Sequence, residues 1–216
     1  MTVTAIVLAG GRSSRFGGDK LAAPFDGRSL LGATIDLVAS VADEVLVAGP
    51  RLPSGFAPGR THVAIVRDHE PFAGPLVALA NVLERASSEP DDLALVVGGD
   101  MPRLVPAVLR AMLDRVAVAS DVAAVLLAGP AEAQAIPEER RPRRSVLPMA
   151  VRVSVARRAA RAAVESGDRS LQALVDRLAH VELPSAAWRE LDPVGATLVD
   201  VDTPEDLARL AERERR

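Results

Sequence analysis

The sequence predicts an α/β fold in which helices cover both faces of a mostly parallel sheet. Short apolar segments typical of strands alternate along the chain with segments whose apolar residues recur at helical spacing. Two of the apolar segments run directly into paired glycines, which is typical of buried parallel strands that end at a ligand-facing loop. The chain has 216 residues, a length that fits a single domain spanning residues 1–216.

The composition narrows the function classes. Hydrophobic residues make up 49% and charged residues 25% of the chain, as in ordinary globular domains, which excludes the disordered and collagen-like classes. A net charge of -3 and an aromatic content of 2% disfavour a nucleic-acid partner. The absence of cysteine excludes disulfides and thiolate metal sites and fits a reducing cytoplasm. Since no stretch approaches ~20 uncharged apolar residues, we expect a soluble protein without a membrane partner.

The chain is predicted to begin with a strand-helix-strand unit. The segment Val3–Ala9 is β-branched and apolar and stops at two glycines, which predicts a strand. Apolar residues at helical spacing predict a helix over Leu30–Val41, and the apolar run Glu44–Ala48 predicts a second strand. After a stretch with proline and glycine at Pro50–Gly59, the segment Thr61–Val66 predicts a third strand.

The same alternation continues through the middle of the chain. Helical spacing predicts a helix over Leu76–Ala86. The run Leu93–Val97 is continuously apolar and ends in a Gly-Gly-Asp sequence, which predicts a buried strand that meets a ligand loop. A helix from about Val105 to Val116 and a strand over Val122–Leu127 complete this part of the prediction.

The second half has a less regular pattern. The segment Pro137–Arg144 combines two prolines with a dense charge cluster and is predicted to be a mobile loop. A strand is predicted over Ser145–Val151, and helices over Ser154–Glu165 and Ser170–Leu178. The segment Ala196–Val201 is predicted to be the last strand.

The closing helix has a well-marked start. Thr203 is a suitable cap, and Pro204 suits the first helical position. Glu205 and Asp206 place negative charge at the positive end of the helix dipole. The sequence therefore predicts a helix that begins directly after Thr203.

Basic residues are concentrated late in the chain. The segment Arg140–Arg144 could touch an anionic substrate, but charge runs of this kind are usually solvated. We interpret a basic helix face in the same way; it consists of Arg152, Arg157, Arg158 and Arg161.

The most informative segment is the glycine-rich loop that follows the first strand, LAGGRSSRFGGDK at Leu8–Lys20. Its glycines let backbone N–H groups approach an anion closely, and Arg15 and Lys20 supply the positive charge that a triphosphate needs. A flexible basic surface turn is the alternative. The spacing matches neither G-x-x-x-x-G-K-[ST] nor G-x-G-x-x-G, which disfavours a P-loop NTPase and a dinucleotide dehydrogenase.

Acidic residues lie at the ends of three predicted strands. Asp100 follows a central strand, where open parallel sheets bind ligands, and is a candidate for Mg²⁺, which takes one or two carboxylates with phosphate oxygens and water. Strand alternation predicts that Asp200 and Asp202 share a face and approach Asp100. Asp68 is placed to accept from a sugar hydroxyl or a base amine. The alternatives are helix capping for the first three acids and a solvated loop position for Asp68.

Taken together, five segments resemble the MobA-like nucleotidyltransferases, and within them the molybdenum cofactor guanylyltransferases. The segments occur in order along nearly the whole chain, at Leu8–Lys20, Asp68–Leu79, Gly98–Pro102, Leu147–Arg152 and Asp200–Leu207. The resemblance implies a Rossmann-like three-layer domain of the nucleotide-diphospho-sugar transferase type. It also implies an enzyme that joins a nucleoside monophosphate from an NTP to a phosphorylated acceptor and releases pyrophosphate.

For the guanylyltransferases, the resemblance implies GTP as the donor, a molybdopterin-type molybdenum cofactor as the acceptor and Mg²⁺ as the cofactor. The residues carried over by motif are Leu8, Ala9, Gly10, Gly11 and Asp68 for the nucleotide, Arg15 and Lys20 for phosphate, Asp100 for both nucleotide and Mg²⁺, and Asp202 as a further metal ligand. On this interpretation Arg15, Lys20 and Asp100 are the catalytic residues. No protein nucleophile is needed, because phosphoryl-type transfer depends on positioning and charge neutralisation.

Two alternatives remain open. The segment Val45–Arg51 lacks an Asn-rich turn that relatives often carry there, so a nucleotidyltransferase with another base or acceptor, such as a molybdenum cofactor cytidylyltransferase, is the first. A catalytically silent nucleotide-binding module is the second. The joint presence of Arg15, Lys20 and Asp100 argues against it, because such charges cost stability when no ligand is bound.

Overall fold

The computed structural model describes residues 1–10, 16–52, 56, 61–67, 73–87, 89–129 and 146–213. Within these residues the strands are β1 (Val3–Leu8), β2 (Pro24–Phe25), β3 (Arg28–Ser29), β4 (Glu44–Ala48), β5 (His62–Val66), β6 (Leu93–Gly98), β7 (Ala124–Leu127), β8 (Met149–Arg152) and β9 (His180–Leu183). The α-helices are α1 (Leu30–Ala39), α2 (Pro75–Leu83), α3 (Pro106–Val118), α4 (Val153–Glu165), α5 (Leu171–Val175), α6 (Ser185–Leu191) and α7 (Pro204–Arg213). None of these helices is long and apolar enough to cross a membrane.

Seven of the strands form one sheet, in the order β5-β4-β1-β6-β8-β7-β9. Neighbouring strands are parallel except around β8, which is antiparallel to both β6 and β7. The prediction of a mostly parallel sheet is therefore confirmed. The strands β2 and β3 form a separate antiparallel hairpin, which the sequence analysis did not predict because each strand has only two residues.

Helices cover both faces of the sheet, as predicted. Successive residues of a central strand enter opposite cores, so that Ile6 of β1 packs on the side of α2, α4 and α5. Its neighbours Ala5 and Val7 pack on the side of α1, α3 and α6. The second core contains Trp188, whose buried indole N–H donates to the carbonyl oxygen of Ala128 at 3.0 Å. The fold is thus a three-layer α/β arrangement built mainly from Ala, Val and Leu.

A third, smaller cluster joins the C-terminal part of the chain to the first helix. It contains Phe25 of β2, Leu30 and Ala33 of α1, Val201, and Leu210 of α7. The start of α7 forms as predicted: Thr203 Oγ1 accepts from the Asp206 N–H at 3.2 Å, and Asp206 Oδ2 accepts from the Thr203 N–H at 2.9 Å. This reciprocal capping box fixes the beginning of α7.

The predicted strand over Ala196–Val201 is wrong. A 3-10 turn occupies Ala196–Leu198, and the residues after it pair with no strand in the described part of the chain. Gly195 precedes this turn in the left-handed conformation, with φ of 70°. The carboxylate of Asp192 then accepts the N–H groups of Ala196 and Thr197, which a strand would direct to a neighbouring strand. The hydrogen bonds to Asp192 therefore determine the backbone conformation here, and the apolar pattern does not.

The structure also adds elements in the second half that the sequence analysis did not predict. The edge strand β9 and the helix α6 are short, with 4 and 7 residues, and their apolar patterns are correspondingly weak. The strand predicted over Ser145–Val151 corresponds to β8 at Met149–Arg152. The loop predicted at Pro137–Arg144 lies outside the described residues.

The interpretation of the basic helix face as solvated is only partly right. Arg158 and Arg161 are exposed on α4. Arg152, however, is the last residue of β8, and its guanidinium donates to carbonyl oxygens at and beyond the end of α3, namely those of Val116, Ala117, Ala119 and Val122. Arg157 donates to the carbonyl oxygens of Leu83 at 2.7 Å and Ala86 at 2.5 Å, at the end of α2. These two arginines satisfy carbonyl groups that helix termini leave unpaired.

Candidate active site

The site begins where the central parallel strands end side by side. The Ala9 N–H, just after β1, donates to the carbonyl oxygen of Ala48 at 2.8 Å, and the Gly99 N–H donates to the carbonyl oxygen of Leu8 at 2.9 Å. A Cβ at Gly49 would lie 3.1 Å from the Cβ of Ala9, so the two chain segments approach closely. The loops that follow β1, β4 and β6 therefore start from one edge of the sheet, the edge at which such sheets bind ligands.

Lys20 lies at the centre of this edge. It begins a 3-10 turn at Lys20–Ala22, which Asp19 caps by accepting the Ala22 N–H at 3.3 Å. Its Nζ donates to Asp100 Oδ2 at 2.7 Å and to Asp202 Oδ1 at 3.1 Å. The Lys20 side chain is 12% exposed. One ammonium thus joins the glycine-rich loop, the end of β6 and the C-terminal segment.

The charge of Lys20 is held in place by these two carboxylates. Burial disfavours the charged form, but the hydrogen bonds and negative charges of Asp100 and Asp202 outweigh it, so the pKa of Lys20 lies above its ordinary value of 10.5. Lys20 is therefore an ammonium throughout the physiological pH range.

The sequence contains a signal for Lys20 that the analysis of motifs did not use. The 26 basic residues of the chain are all arginine except Lys20. Lysine offers a compact point charge with three donors, whereas arginine offers a planar fork, so the two are not equivalent at a site with several acceptors. The one lysine of the chain lies where two carboxylates converge on a single cation.

Asp100 lies in the connection between β6 and α3. A Cβ at Gly98 would lie 2.5 Å from Asp100 Oδ1, so the carboxylate occupies space that only glycine leaves open. The alternative that Asp100 caps the next helix is not what the structure shows, because α3 begins at Pro106 with Val105 as its N-cap. The carboxylate is directed to Lys20 instead.

Of the two C-terminal acids, Asp202 makes the contact with Lys20. The capping of α7 falls to Thr203 and Asp206, which accounts for the helix-capping alternative. Asp200 lies close enough for its pKa to be affected: burial raises its pKa, and the negative charges of Asp100 and Asp202 raise it further. The acids approach one another as predicted, although the strand alternation on which that prediction depended is absent.

This charge pattern fits a divalent cation. Asp100 and Asp202 contact the one ammonium, and Asp200 lies close enough for their negative charges to act on it, so the acids at this site outnumber the base. In the described part of the chain, no three acidic or histidine side chains converge closely enough to hold a metal by themselves. Mg²⁺ takes one or two carboxylates and completes its shell with phosphate oxygens and water, so Asp100 and Asp202 suit an ion that arrives with a nucleotide.

A cavity of about 150 Å³ is lined in part by Asp19 and Leu21, the residues on either side of Lys20 in the chain. Apolar side chains of Ala9, Leu21 and Leu52 contribute to its lining, and Arg51 and Asp19 contribute a polar part. Arg51 donates to Asp19 Oδ2 at 3.0 Å, and both of these side chains are exposed. Among the nucleotide-binding residues predicted from the sequence, Ala9 lines this cavity.

The other predicted site residues divide into two groups. Leu8 is half-buried at the end of β1, and Gly10 is exposed just after it, so both lie at the same edge as Lys20. Gly11, Arg15 and Asp68 lie outside the described residues. Their predicted contacts with nucleotide and phosphate therefore stay predictions.

Comparison with known proteins gives one family. Residues 5–182 match the MobA-like NTP transferase domain. The chain is 30% identical to a probable molybdenum cofactor guanylyltransferase of Chloroflexus aggregans, over 96% of this chain and 92% of that protein. It is 32% identical to the molybdenum cofactor guanylyltransferase of Xanthomonas euvesicatoria, over 96% of this chain and 93% of that protein.

Solved structures share the fold. Molybdopterin-guanine dinucleotide biosynthesis protein A from Archaeoglobus fulgidus superposes with a TM-score of 0.74 at 18% identity, covering 98% of each chain. A 4-diphosphocytidyl-2C-methyl-D-erythritol synthase from Anaerococcus prevotii superposes with a TM-score of 0.71 at 14% identity, covering 100% of this chain and 99% of the other. At these identities the similarity concerns the fold alone.

Proposed function

The chain belongs to the MobA-like NTP transferase family, which makes it a nucleotidyltransferase, and we propose that it transfers GMP from GTP to a molybdopterin-type cofactor. The observation that carries this proposal is the contact of Lys20 with both Asp100 and Asp202 at the carboxyl edge of the sheet. This contact brings three separate parts of the chain to one point. Two relatives that match nearly the whole chain carry the guanylyltransferase name, which supports GTP as the donor.

The proposed reaction forms one bond and breaks one. An oxygen of the acceptor phosphate attacks the α-phosphorus of GTP, and the bond from that phosphorus to the bridging oxygen of pyrophosphate breaks. The leaving pyrophosphate takes the electron pair. Such a transfer needs charge neutralisation and alignment more than covalent help from the protein, which fits a site of one ammonium and several carboxylates.

Lys20 is the residue we assign to the triphosphate. A lysine ammonium has three N–H donors. Two of them are directed to Asp100 and Asp202, and we assign the third to a phosphate oxygen. Held between two carboxylates, the ammonium keeps its position and charge before the nucleotide binds.

We propose Mg²⁺ as the divalent ion, held by Asp100 and Asp202 together with phosphate oxygens. When bound, the ion neutralises charge on the phosphates and polarises the α-phosphate. Asp200 stays at the edge of this arrangement, where its carboxylate adds negative charge without a hydrogen bond to Lys20 among the contacts described. The roles of Arg15 and Asp68, and a cytoplasmic location, stay predictions.

A thermal-shift panel tests the proposal. The protein is melted with GTP, CTP, ATP and UTP, each with and without Mg²⁺. A ligand at 100 times its dissociation constant adds ~2.7 kcal/mol, which raises the Tm of a domain this size by about 5–11 °C. We expect that rise for GTP with Mg²⁺, and its loss in Asp100→Asn. A rise for CTP alone would contradict the guanylyl donor and favour the cytidylyl alternative.

Turnover completes the test. With GTP, Mg²⁺ and molybdopterin acceptor, we expect release of pyrophosphate that depends on all three components. Nucleotide binding without pyrophosphate release at this acceptor would contradict the proposed reaction. That result would favour the silent nucleotide-binding module.

A further inference from the structure

A buried acid, Asp192, lies outside the site and has no part in the proposed reaction. Asp192, at the end of α6, is 2% exposed. Its carboxylate accepts the N–H groups of Ala196 at 3.0 Å and Thr197 at 2.7 Å. Because burying a carboxylate is costly unless it is hydrogen-bonded, these two bonds fix the 3-10 turn at Ala196–Leu198.

The 3-10 turn is also bonded to the connection between β6 and α3, which carries Asp100. The Thr197 hydroxyl is fully buried and accepts the N–H of Val105, the N-cap of α3, at 3.1 Å. Further along, the Val201 N–H donates to the carbonyl oxygen of Asp100 at 3.0 Å. The segment that follows Asp192 is therefore bonded to both ends of the connection between β6 and α3.

The next residue after this second bond is Asp202. Val201 is fully buried against the cluster that contains Phe25 and Leu30, so its side chain cannot rotate outward without loss of packing. The buried Val201 therefore fixes the backbone position of Asp202, whose Oδ1 lies 3.1 Å from Lys20 Nζ.

We infer that Asp192 is a positioning residue for the active site: through Thr197 it fixes the segment that places Asp202 beside Lys20. This inference rests on the proposed function only in its consequence for the metal and the nucleotide. The placement of Asp202 itself is independent of that function.

Asp92 provides a matched control. It is also 2% exposed and also accepts two backbone N–H groups, those of Thr2 at 2.6 Å and Glu89 at 3.0 Å, with the Ser87 hydroxyl at 2.5 Å. It directly precedes β6 and so lies at the opposite edge of the sheet from Lys20. A purely structural buried carboxylate and the proposed positioning carboxylate can therefore be compared within one protein.

The experiment uses the single lysine of the chain. With lysine labelled with ¹³C at Cε, the protein gives one side-chain resonance, which reports on Lys20. We expect Asp192→Asn to move this resonance, because the amide replaces one acceptor of the turn by a donor. Asp92→Asn is expected to lower the Tm while leaving the Lys20 resonance in place. An unchanged Lys20 resonance in folded Asp192→Asn would overturn the inference.

A binding measurement adds the functional consequence. Mn²⁺ is titrated into the protein with GTP present and followed by electron paramagnetic resonance. Loss of a residue that orients a metal ligand typically costs about 10–100-fold in metal affinity, and we expect a loss of about tenfold for Asp192→Asn and none for Asp92→Asn. Equal Mn²⁺ affinity in wild type and Asp192→Asn would overturn the consequence drawn for the site.

Thr197 gives a second route if Asp192→Asn does not fold. Thr197→Val keeps the shape of the side chain and removes the acceptor of the Val105 N–H, whereas Thr197→Ser keeps that acceptor. We expect Thr197→Val to move the Lys20 resonance and Thr197→Ser to leave it at its wild-type position. The same resonance in both variants would contradict the positioning role. If wild type binds neither GTP nor Mn²⁺ and the resonance still moves, the proposed function fails and the positioning stands.

Discussion

Replacement of Lys20 by methionine removes one ammonium from between two carboxylates and keeps a side chain of similar length. A fully buried pair costs about 3–5 kcal/mol when one partner is removed, whereas exposed pairs contribute only about 0–1 kcal/mol. Lys20 is 12% exposed, but Asp202 is 51% exposed, so water screens part of the interaction. We therefore expect Lys20→Met to lower the free energy of unfolding by about 2 kcal/mol, which lowers the Tm by about 4–8 °C for a domain of this size.

The pH dependence of this loss identifies its cause. Because the pKa of Lys20 in the folded protein lies above its ordinary value of 10.5, the ammonium contributes its full stability below pH 10.5. That contribution disappears as the pH rises through the raised pKa, since the neutral amine no longer attracts the carboxylates. The Tm difference between wild type and Lys20→Met should stay constant from pH 7 to 10 and close at higher pH.

The composition leaves few other side chains to interfere with this measurement at alkaline pH. The chain has no tyrosine and no cysteine, and Lys20 is its only lysine, so few other side chains titrate in alkaline solution. Lys20→Arg serves as the control, because arginine keeps its charge and its stability contribution should persist where that of lysine is lost. Thermal unfolding followed by circular dichroism at pH 7 to 12 gives the Tm differences of Lys20→Met and Lys20→Arg from wild type. A Tm difference that stays unchanged above pH 11 would refute the role assigned to the ion pair.

The remaining predictions concern geometry and stability away from the ammonium. Gly98→Ala places a Cβ 2.5 Å from Asp100 Oδ1, so the carboxylate must shift and we expect slower metal-dependent turnover, while Gly129→Ala, whose Cβ meets nothing within 4 Å, leaves turnover unchanged. Equal turnover in both variants would show that the Asp100 carboxylate does not need that space. Arg152→Met removes the donor to the carbonyls at the end of α3 and should cost about 2–3 kcal/mol in denaturant unfolding; a loss below 0.5 kcal/mol would contradict this, and Arg158→Met on the exposed face is its control. The Ser87 hydroxyl and two backbone N–H groups hold the pKa of Asp92 below its ordinary value of 3.8, so its contribution to stability is present above pH 3.8 and is lost as the pH falls through the lowered pKa. Asp92→Asn should therefore flatten the acid limb of the stability profile, and an unchanged profile would show that Asp92 does not govern it.

The local pattern of the sequence determined the architecture of the first half. Apolar runs that end in glycine predict β1 and β6, and helical spacing predicts α1, α2 and α3, because these features depend on residues close together in the chain. The same reasoning led to Lys20 and Asp100, since a glycine-rich loop and an acid at the carboxyl end of a strand are local signals of a ligand site.

Tertiary structure decided the C-terminal half of the site. The sequence led to a strand through Ala196–Val201 and to Asp200 and Asp202 on one face; instead, the Asp192 carboxylate takes the N–H groups that a strand would use. Which acid reaches Lys20 then depends on bonds to Val105 and to the Asp100 carbonyl, partners that lie about 90 residues or more away in the chain. Similarly, Arg152 is a terminal donor for α3 because β8 ends beside that helix. Side-chain spacing along the chain carries no information about partners at such separations, and only the packed fold brings them within hydrogen-bond distance.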